Sequence, residues 1–530
     1  MLFSYRKKRL QEFRDCWAKP IERYRNFNFI DLYHRLLNHS GSEHTVDEKT
    51  WSDLDFSALF TKMDRATTGI GQQYLYHLLH TYEPDESILK KRYETILALK
   101  NNQNFREQIQ LKFLELSSSS SHFIALLILD QSLPGTKYYR LLYLFPLLFL
   151  LSLLGITVSH VCILTTMAIA IINLILNQIF SKTIYRYFSG FSALNALIHT
   201  ALSIGNIKEA HTVAEIENLQ QQRILLKSLK KNLGYLVIDK EALNEMVRVG
   251  IEYLNMFFLF DVIAYYRSVK TLRLYQSEIH SVYKNVASLD ASIAVASYLE
   301  EMNHYSTPVF HTKSELTMHQ LFHPLIEHAV PNSVENFSSS MLITGSNMSG
   351  KTSFMKTVGL NMILAQTLYF VHANGLTMPR RFVKTSIKRN EDLEAGKSYF
   401  FAEIEELQNF LQLSDEANTY VFFIDEIFRG TNTLERLAAS TAVLKNLSSC
   451  NTVFVTTHDI ELQELLDGHF QMYHFSEQVE GDRFFFNYKI NKGSCTSGNA
   501  IKLLELMKYP DSIVQEANAL AKDLLSDSLL

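Results

Sequence analysis

The chain is 530 residues long, with 51 Lys+Arg against 55 Asp+Glu and a formal net charge of −4. That length suggests about three domains, and 47% hydrophobic with 20% charged residues excludes a disordered or low-complexity chain. The near-neutral charge excludes a wholesale polycation, so any nucleic-acid surface must be local. Four scattered cysteines (Cys16, Cys162, Cys450, Cys495) exclude a disulfide framework or a Cys-based zinc site and fit a reducing compartment.

Residues 1–45 read as a basic N-terminal segment. Arg6-Lys7-Lys8-Arg9 is not followed by the apolar stretch and cleavage site of a secretory signal. From Arg6 to Arg25 eight basic residues face three acidic ones. Two readings stay open there: a solvated helix face, or a surface for phosphates of lipid or nucleic acid. Residues 46–136 form the first part of an expected helical core, with apolar positions at helical spacing over 55–115 and a loop at Ser117–Ser121.

Between Arg140 and Lys182 lie 41 residues without Asp, Glu, Lys or Arg. A membrane-spanning helix needs about 20 apolar residues, so 137–190 is expected to be a transmembrane hairpin. Its spans would be 141–158 and 161–180, with Gly155, Ser159 and His160 near the turn. Asn173, Asn177 and Gln178 interrupt the second span where they would reach lipid headgroups. Lys137 and Arg140 before the hairpin, and Lys182 and Arg186 after it, place both flanks in the cytoplasm by the positive-inside tendency, with 141–181 as an anchor in the cytoplasmic (inner) membrane.

Residues 191–320 continue the helical core, with apolar helical spacing over 205–305. From 321 to 530 the texture changes. β-rich runs at Met341–Thr344, Val421–Ile424, Thr452–Val455 and Phe484–Ile490 alternate with helical stretches at Ser353–Tyr369 and Glu435–Leu447. That alternation predicts an α/β domain with a largely parallel sheet.

Three motifs carry chemistry. Gly345-Ser346-Asn347-Met348-Ser349-Gly350-Lys351-Thr352, followed by Ser353, satisfies GxxxxGK[ST] between a strand and a helix. Backbone N–H groups of such a loop cradle phosphates, the lysine reaches the β- and γ-phosphates, and the Thr hydroxyl ligates Mg²⁺. Val421–Ile424 ends in Asp425-Glu426, where Asp425 would hold Mg²⁺ through water and Glu426 would act as base for the attacking water. Thr452–Val455 ends in Thr456-Thr457-His458, a histidine placed to sense the γ-phosphate or polarise the water.

Together these motifs, with Asp425 through Thr431, resemble the ATPase domain of the MutS family of DNA mismatch-repair proteins. Leu393–Glu403 resembles the family's signature segment, whose serine, here Ser398, reaches the neighbouring subunit's nucleotide. Phe322-His323-Pro324-Leu325, Tyr488-Lys489-Ile490, Gly493, Gly498 and Pro510 are similar to further family elements. So are Leu54-Asp55, Met63–Gly69, Ile88–Arg92 and Ser288-Leu289-Asp290 in the helical core. The resemblance implies an α/β P-loop ATPase domain of ABC type preceded by an all-α core. It also implies ATP and Mg²⁺ as cofactors, a homodimer with composite sites, and DNA as partner in repair or recombination. Ser346 stands where the family has Pro, Phe428 where it has Gly, and Thr352-Ser353 reverses the usual Ser-Thr, with both hydroxyls kept. About 45 residues before the helical core leave no room for a mismatch-reading domain, so mismatch recognition is not carried over, and whether a MutL-like partner is kept stays open. The competing expectation is a membrane-bound P-loop switch acting on a protein or lipid partner. An ABC transporter is disfavoured by the absence of an LSGGQ stretch.

Overall fold

A computed structural model describes residues 2–37, 44–130, 133, 135, 139–207, 213–233, 245–313, 315–346, 349–387, 399–414, 419–428, 431–480, 483–494, 504, 507 and 509–527. The chain forms two compact units, one of 1–42, 61–78 and 91–301, the other of 43–60, 79–90 and 302–530.

The first unit is helical. Its central helix, Gln276–Glu301, is buried almost continuously from Ile279 to Leu299, and small residues at Ala287, Ala291, Ala294 and Ala296 allow neighbours to approach it closely. Midway along it the buried Asp290 carboxylate accepts hydrogen bonds from the backbone N–H groups of Thr67 (2.9 Å) and Thr68 (2.7 Å), satisfying donors just before the helix Gly69–His80. Burial pushes the Asp290 carboxyl up to about 6, against the lowering effect of those bonds. Part of the N-terminal basic cluster turns inward. Arg23 and Arg25 pair with buried Asp64 at 2.6 and 2.8 Å, and Arg14 pairs with Glu107 at 2.7 Å. Of the expected loop at Ser117–Ser121, Ser117 and Ser118 are irregular and Ser119–Ser121 belong to a 3-10 turn, Ser119–His122.

The apolar segment departs from two equal spans. Among the described residues Val161–Lys182 is long and apolar enough to cross a membrane, as the first half of a helix that continues to Ile204. The first stretch forms a 3-10 turn, Tyr139–Tyr143, and then the helix Leu144–Gly155. Those 12 residues rise only about 18 Å, short of a hydrocarbon core of about 30 Å. Pro146 gives the reason. It has no N–H for Leu142 O, so an α-helix can begin around it but cannot run through it from upstream. Asn173 and Asn177 also differ from expectation: both side chains are turned into the protein and are buried.

The second unit holds two sheets. Its strands are β1 (Pro308–Phe310), β2 (Leu316–Leu321), β3 (Asn332–Phe337), β4 (Ser340–Thr344), β5 (Gly375–Met378), β6 (Phe382–Ser386), β7 (Tyr420–Asp425), β8 (Thr452–Thr456), β9 (Phe470–Glu480) and β10 (Arg483–Lys492). The larger sheet has the order β10-β9-β4-β8-β7-β6, parallel throughout except for the antiparallel β9–β10 pair. Its central strands are apolar on both sides because both sides are covered. Phe422 stacks on Phe410 at 4.8 Å on one face, while its neighbour Phe423 stacks on Phe454 at 4.9 Å on the other. The smaller sheet, β1-β5-β2-β3, has short strands rich in polar residues and no long apolar run.

Segments 43–60 and 79–90, read from sequence within the helical core, cluster with this second unit. Polar contacts explain it. Buried Asp53 accepts from Thr385 Oγ1 (2.9 Å) and Ile387 N (2.8 Å), Lys356 pairs with Asp55 at 2.6 Å, and Val383 N donates to the Tyr82 hydroxyl at 3.2 Å.

Candidate functional site

Strand β4, buried along its whole length, delivers the chain to Gly345 at φ +143°. A Cβ there would stand 2.8 Å from Phe475 O, so the turn out of the strand requires glycine. Gly350, at φ +104°, closes the loop and opens the helix Lys351–Thr367. Its N-terminal N–H groups have no intrahelical acceptor, and its dipole favours an anion there.

Lys351 is buried, and its Nζ donates to the carbonyls of Gly345 and Ser346, both at 2.8 Å. The ammonium is thereby held over the mouth of the loop. The next residue, Thr352, donates from Oγ1 to Asp425 Oδ2 at 2.9 Å, which joins the loop to the end of β7. Thr456 on β8 donates to the other Asp425 oxygen.

Beyond Asp425 the backbone turns sharply, with Glu426 at φ +57° and Phe428 at φ +55°. A left-handed residue other than glycine costs about 1–2 kcal/mol, and neighbours hold this turn. Glu426 N donates to Thr456 O at 3.1 Å, and Phe428 N donates to the buried Glu403 carboxylate. The Phe428 ring is buried and meets Phe400 edge-on at 6.2 Å. The turn points Glu426 at His458: Glu426 Oε1 lies 2.8 Å from His458 Nε2, which is 3.5 Å from Lys351 Nζ. A hydrogen bond to the carboxylate requires the proton on Nε2. The loop carrying His458 is clamped in turn, because Arg436 forms a two-pronged pair with Asp459 at 2.8 and 2.7 Å. That pairing holds the Arg436 guanidinium above its usual pKa.

Lys351, Thr352 and Glu426 among these groups border one cavity of about 520 Å³. Ser346, Gly350–Phe354 and Glu426 line one side; His323, Asn332, Phe475 and Tyr488 line others. Asn332 fixes the far wall by donating to Tyr488 O (3.0 Å) and accepting from Ile490 N (2.9 Å), across a register shift in the β9–β10 pair. The Ser346 and Ser349 hydroxyls are buried with no hydrogen-bond partner among the described residues. Buried orphan hydroxyls, a lysine and a helix N-terminus are what a phosphate chain requires. Thr352 and Asp425 offer adjacent hard oxygens suited to Mg²⁺. The residues present therefore fit both groups.

Of the sequence-predicted site residues, Gly345, Ser346, Ser349, Gly350, Lys351, Thr352, Ser353, Asp425, Glu426 and His458 all come together here. Asn347, Met348 and Ser398 lie outside the described residues. The sequence does not point to Asn332, Phe475 or the Arg436–Asp459 clamp as parts of the site, whereas Thr456 belongs to the Thr456-Thr457-His458 motif. Tyr488 is marked in the sequence only by its resemblance to a family element.

Residues 341–525 match the family described as MutS domain V. The chain is similar to the DNA mismatch repair protein MutS of Lactobacillus acidophilus, 33% identical over 268 residues, 48% of this chain and 31% of that protein. The MutS of Lactobacillus delbrueckii is 31% identical over 261 residues, 47% of this chain and 30% of that protein. The MutS of Leptospira interrogans is 27% identical over 368 residues, 60% of this chain and 43% of that protein. The chain thus spans about a third of the length of the two Lactobacillus relatives and under half of the Leptospira one.

Proposed function

Starting from the premise that this is a MutS-family protein, carrying MutS domain V, we propose that it binds ATP with Mg²⁺ and hydrolyses the γ-phosphate bond. The observation that carries this reading is that Lys351, Thr352 and Glu426 line one cavity, with Asp425 bonded to Thr352 and His458 to Glu426 directly behind them. Lys351 turns from the loop carbonyls to the β- and γ-phosphates, while Ser346 and Ser349 donate to phosphate oxygens. The aromatic wall of Phe475 and Tyr488 suits the flat base. Glu426 takes the proton of the water that attacks the γ-phosphorus; the bond to the β-phosphate oxygen breaks, leaving ADP and phosphate. His458 holds Glu426 in place for that transfer. Thr352 and Asp425 would hold Mg²⁺, which would supply charge neutralisation at the phosphates.

DNA is the proposed partner, because the relatives are named as DNA mismatch repair proteins. The working form is a homodimer in which Ser398 of one subunit completes the other's site. We further propose that the protein is anchored in the cytoplasmic membrane with both soluble portions in the cytoplasm. The row of exposed apolar side chains at Leu147, Leu151, Leu164, Met167, Ile171, Ile175 and Ile179 supports this, since water does not favour such a surface. That same surface favours a second reading, in which the ATPase is a switch for a membrane protein or lipid rather than for mismatched DNA.

The experiment is ATP binding and hydrolysis by the full chain in lipid nanodiscs, with duplex, mismatched or branched DNA added. Lys351→Ala should lose binding, and Glu426→Gln should bind and not turn over. Stimulation by DNA supports the first partner assignment, whereas a response only to lipid composition supports the second. Normal turnover by Glu426→Gln would overturn the catalytic assignment.

A further inference from the structure

The helices Glu245–Phe258 and Phe260–Leu274 are broken at Leu259, which takes a left-handed φ of +55°, and the pair bends by 71°. Such a break leaves the last carbonyls of the first helix without intrahelical partners. The long apolar helix answers one of them, Phe257 O, and adds a second bond to Asn255 O, which also accepts from Leu259 N at 2.9 Å. Asn173 Nδ2 donates to Phe257 O at 2.7 Å, and Asn177 Nδ2 donates to Asn255 O at 2.9 Å. Asn255 also caps the second helix, accepting from Asp261 N at 2.8 Å and donating to the Asp261 carboxylate at 2.7 Å.

These contacts fix the depth of the break. Asn173 lies about 18 Å along the helix from Val161 and about 14 Å from Lys182, at 1.5 Å per residue. That is near the middle of the 22-residue apolar stretch Val161–Lys182. The pairing order, Asn255 with Asn177 and Phe257 with Asn173, means that the chain runs inward as it approaches the break. It then returns: Tyr266 meets the Phe180 ring at 5.8 Å, and Tyr265 meets Phe191 at 5.5 Å, beyond Lys182. On the other side Phe149 stacks on Phe257 at 5.5 Å, so the bend also touches the short apolar helix Leu144–Gly155. The outer face is apolar and uncovered at Tyr253, Leu254, Met256 and Phe260, the last 55% exposed. Glu252 lies about 7 Å nearer the Lys182 end than Phe257, towards the interface.

We propose that residues 245–274 form a third membrane-embedded element, a re-entrant wedge whose turn Phe257–Phe260 lies at bilayer mid-depth and whose outer face contacts lipid hydrocarbon. The proposal rests on the anchor reading above. Non-helical backbone at that depth is tolerated only where its polar groups are satisfied by protein, and at the break Asn173 does this for Phe257 O and Asn255 for Asp261 N, with Asn177 adding a second donor to Asn255 O. The wedge also answers the short first helix: Leu144–Gly155 does not span the hydrocarbon core alone, and the wedge fills space beside it. A bilayer is the favoured occupant of the outer face because that face continues the exposed apolar surface of the hairpin.

The test uses the full chain in phospholipid vesicles, with Cys16, Cys162, Cys450 and Cys495 replaced by Ala and a nitroxide label at Ile171→Cys, Met256→Cys or Phe260→Cys. Collision rates with oxygen, which concentrates in hydrocarbon, are compared with those of a water-soluble nickel chelate. All three labels should favour oxygen. An oxygen-accessible label at 171 with nickel-accessible labels at 256 and 260 overturns the wedge while the anchor stands. Nickel access at all three sites overturns both. Labels at 256 and 260 that meet neither reagent mean that protein, such as a second copy, covers the face, and the lipid contact is then wrong. Should the cysteine-free chain fail to fold, Phe260→Trp in the native sequence gives the same decision. Quenching by bromine-labelled lipid supports the wedge, and quenching by aqueous iodide alone refutes it.

Discussion

Replacing Phe428 separates two opposing energies in the turn that presents Glu426. The backbone at Phe428 is left-handed, φ +55°, which for a residue with a Cβ costs about 1–2 kcal/mol. Its ring is buried against Phe400, and losing a buried Phe ring costs about 3–5 kcal/mol. The ring's burial outweighs the strain, which is why a phenylalanine can stand at a position where the resembling family has glycine. Phe428→Ala loses the burial and keeps the strain, so it should destabilise the turn by about 3–5 kcal/mol. Phe428→Gly loses the same burial but relieves the strain, and should be more stable than the Ala variant by about 1 kcal/mol. That order reverses the usual preference for Ala over Gly in helices and strands. The assay is amide hydrogen exchange of the full chain in detergent, read on peptides covering 420–428 and 452–457. Faster exchange in the Gly variant than in the Ala variant would refute the idea that strain is held at this residue.

The caps at the helix break allow a second test: Asn173→Leu and Asn177→Leu should each lower resistance to denaturing detergent by about 0.6–2 kcal/mol and speed exchange at 255–260. Unchanged exchange there would mean that the carbonyls find other partners. In the helical unit, burial lowers His77 to about 3 and His34 to about 4, and the two rings meet at 3.1 Å. The unfolded chain takes up these protons first, at about pH 6.5. Stability should therefore be full above pH 6.5 and fall as pH drops towards 3, by at most about 1.4 kcal/mol per pH unit for each histidine. Urea midpoints at pH 7.5, 6 and 5 measure this, and His77→Phe should flatten the profile; a midpoint that rises on acidification contradicts the buried, neutral pair. For the clamp, Arg436→Ala should lower kcat with nucleotide affinity kept, since Arg436 lies outside the cavity and holds the His458 loop through Asp459 and the segment after the Glu426 turn through Thr431 O. An equal loss in nucleotide binding would show that Arg436 acts elsewhere.

The phosphate loop was legible in the sequence because its geometry is local. Two glycines adopt conformations that other residues resist, and Lys351 and Thr352 follow within the same turn of helix. Strands β4, β7 and β8 were legible because a parallel strand covered on both faces must be a short apolar run, and the helices because their apolar positions recur with the helical period. The polar strands of the smaller sheet carried no such pattern.

Tertiary structure decided what joins residues far apart in the chain. Nothing local ties Asn332 to Tyr488, Asp53 to Thr385, or Arg25 to Asp64, because each pair meets only after the elements carrying it have packed. The same holds in the apolar segment. Composition alone marked 141–181 as unfit for water, but it could not show that Pro146 shortens the first helix or that Asn173 and Asn177 serve carbonyls some eighty residues away rather than headgroups. Hydrophobicity is a sum over neighbours in sequence, whereas a hydrogen bond depends on which atoms the fold brings within about 3 Å.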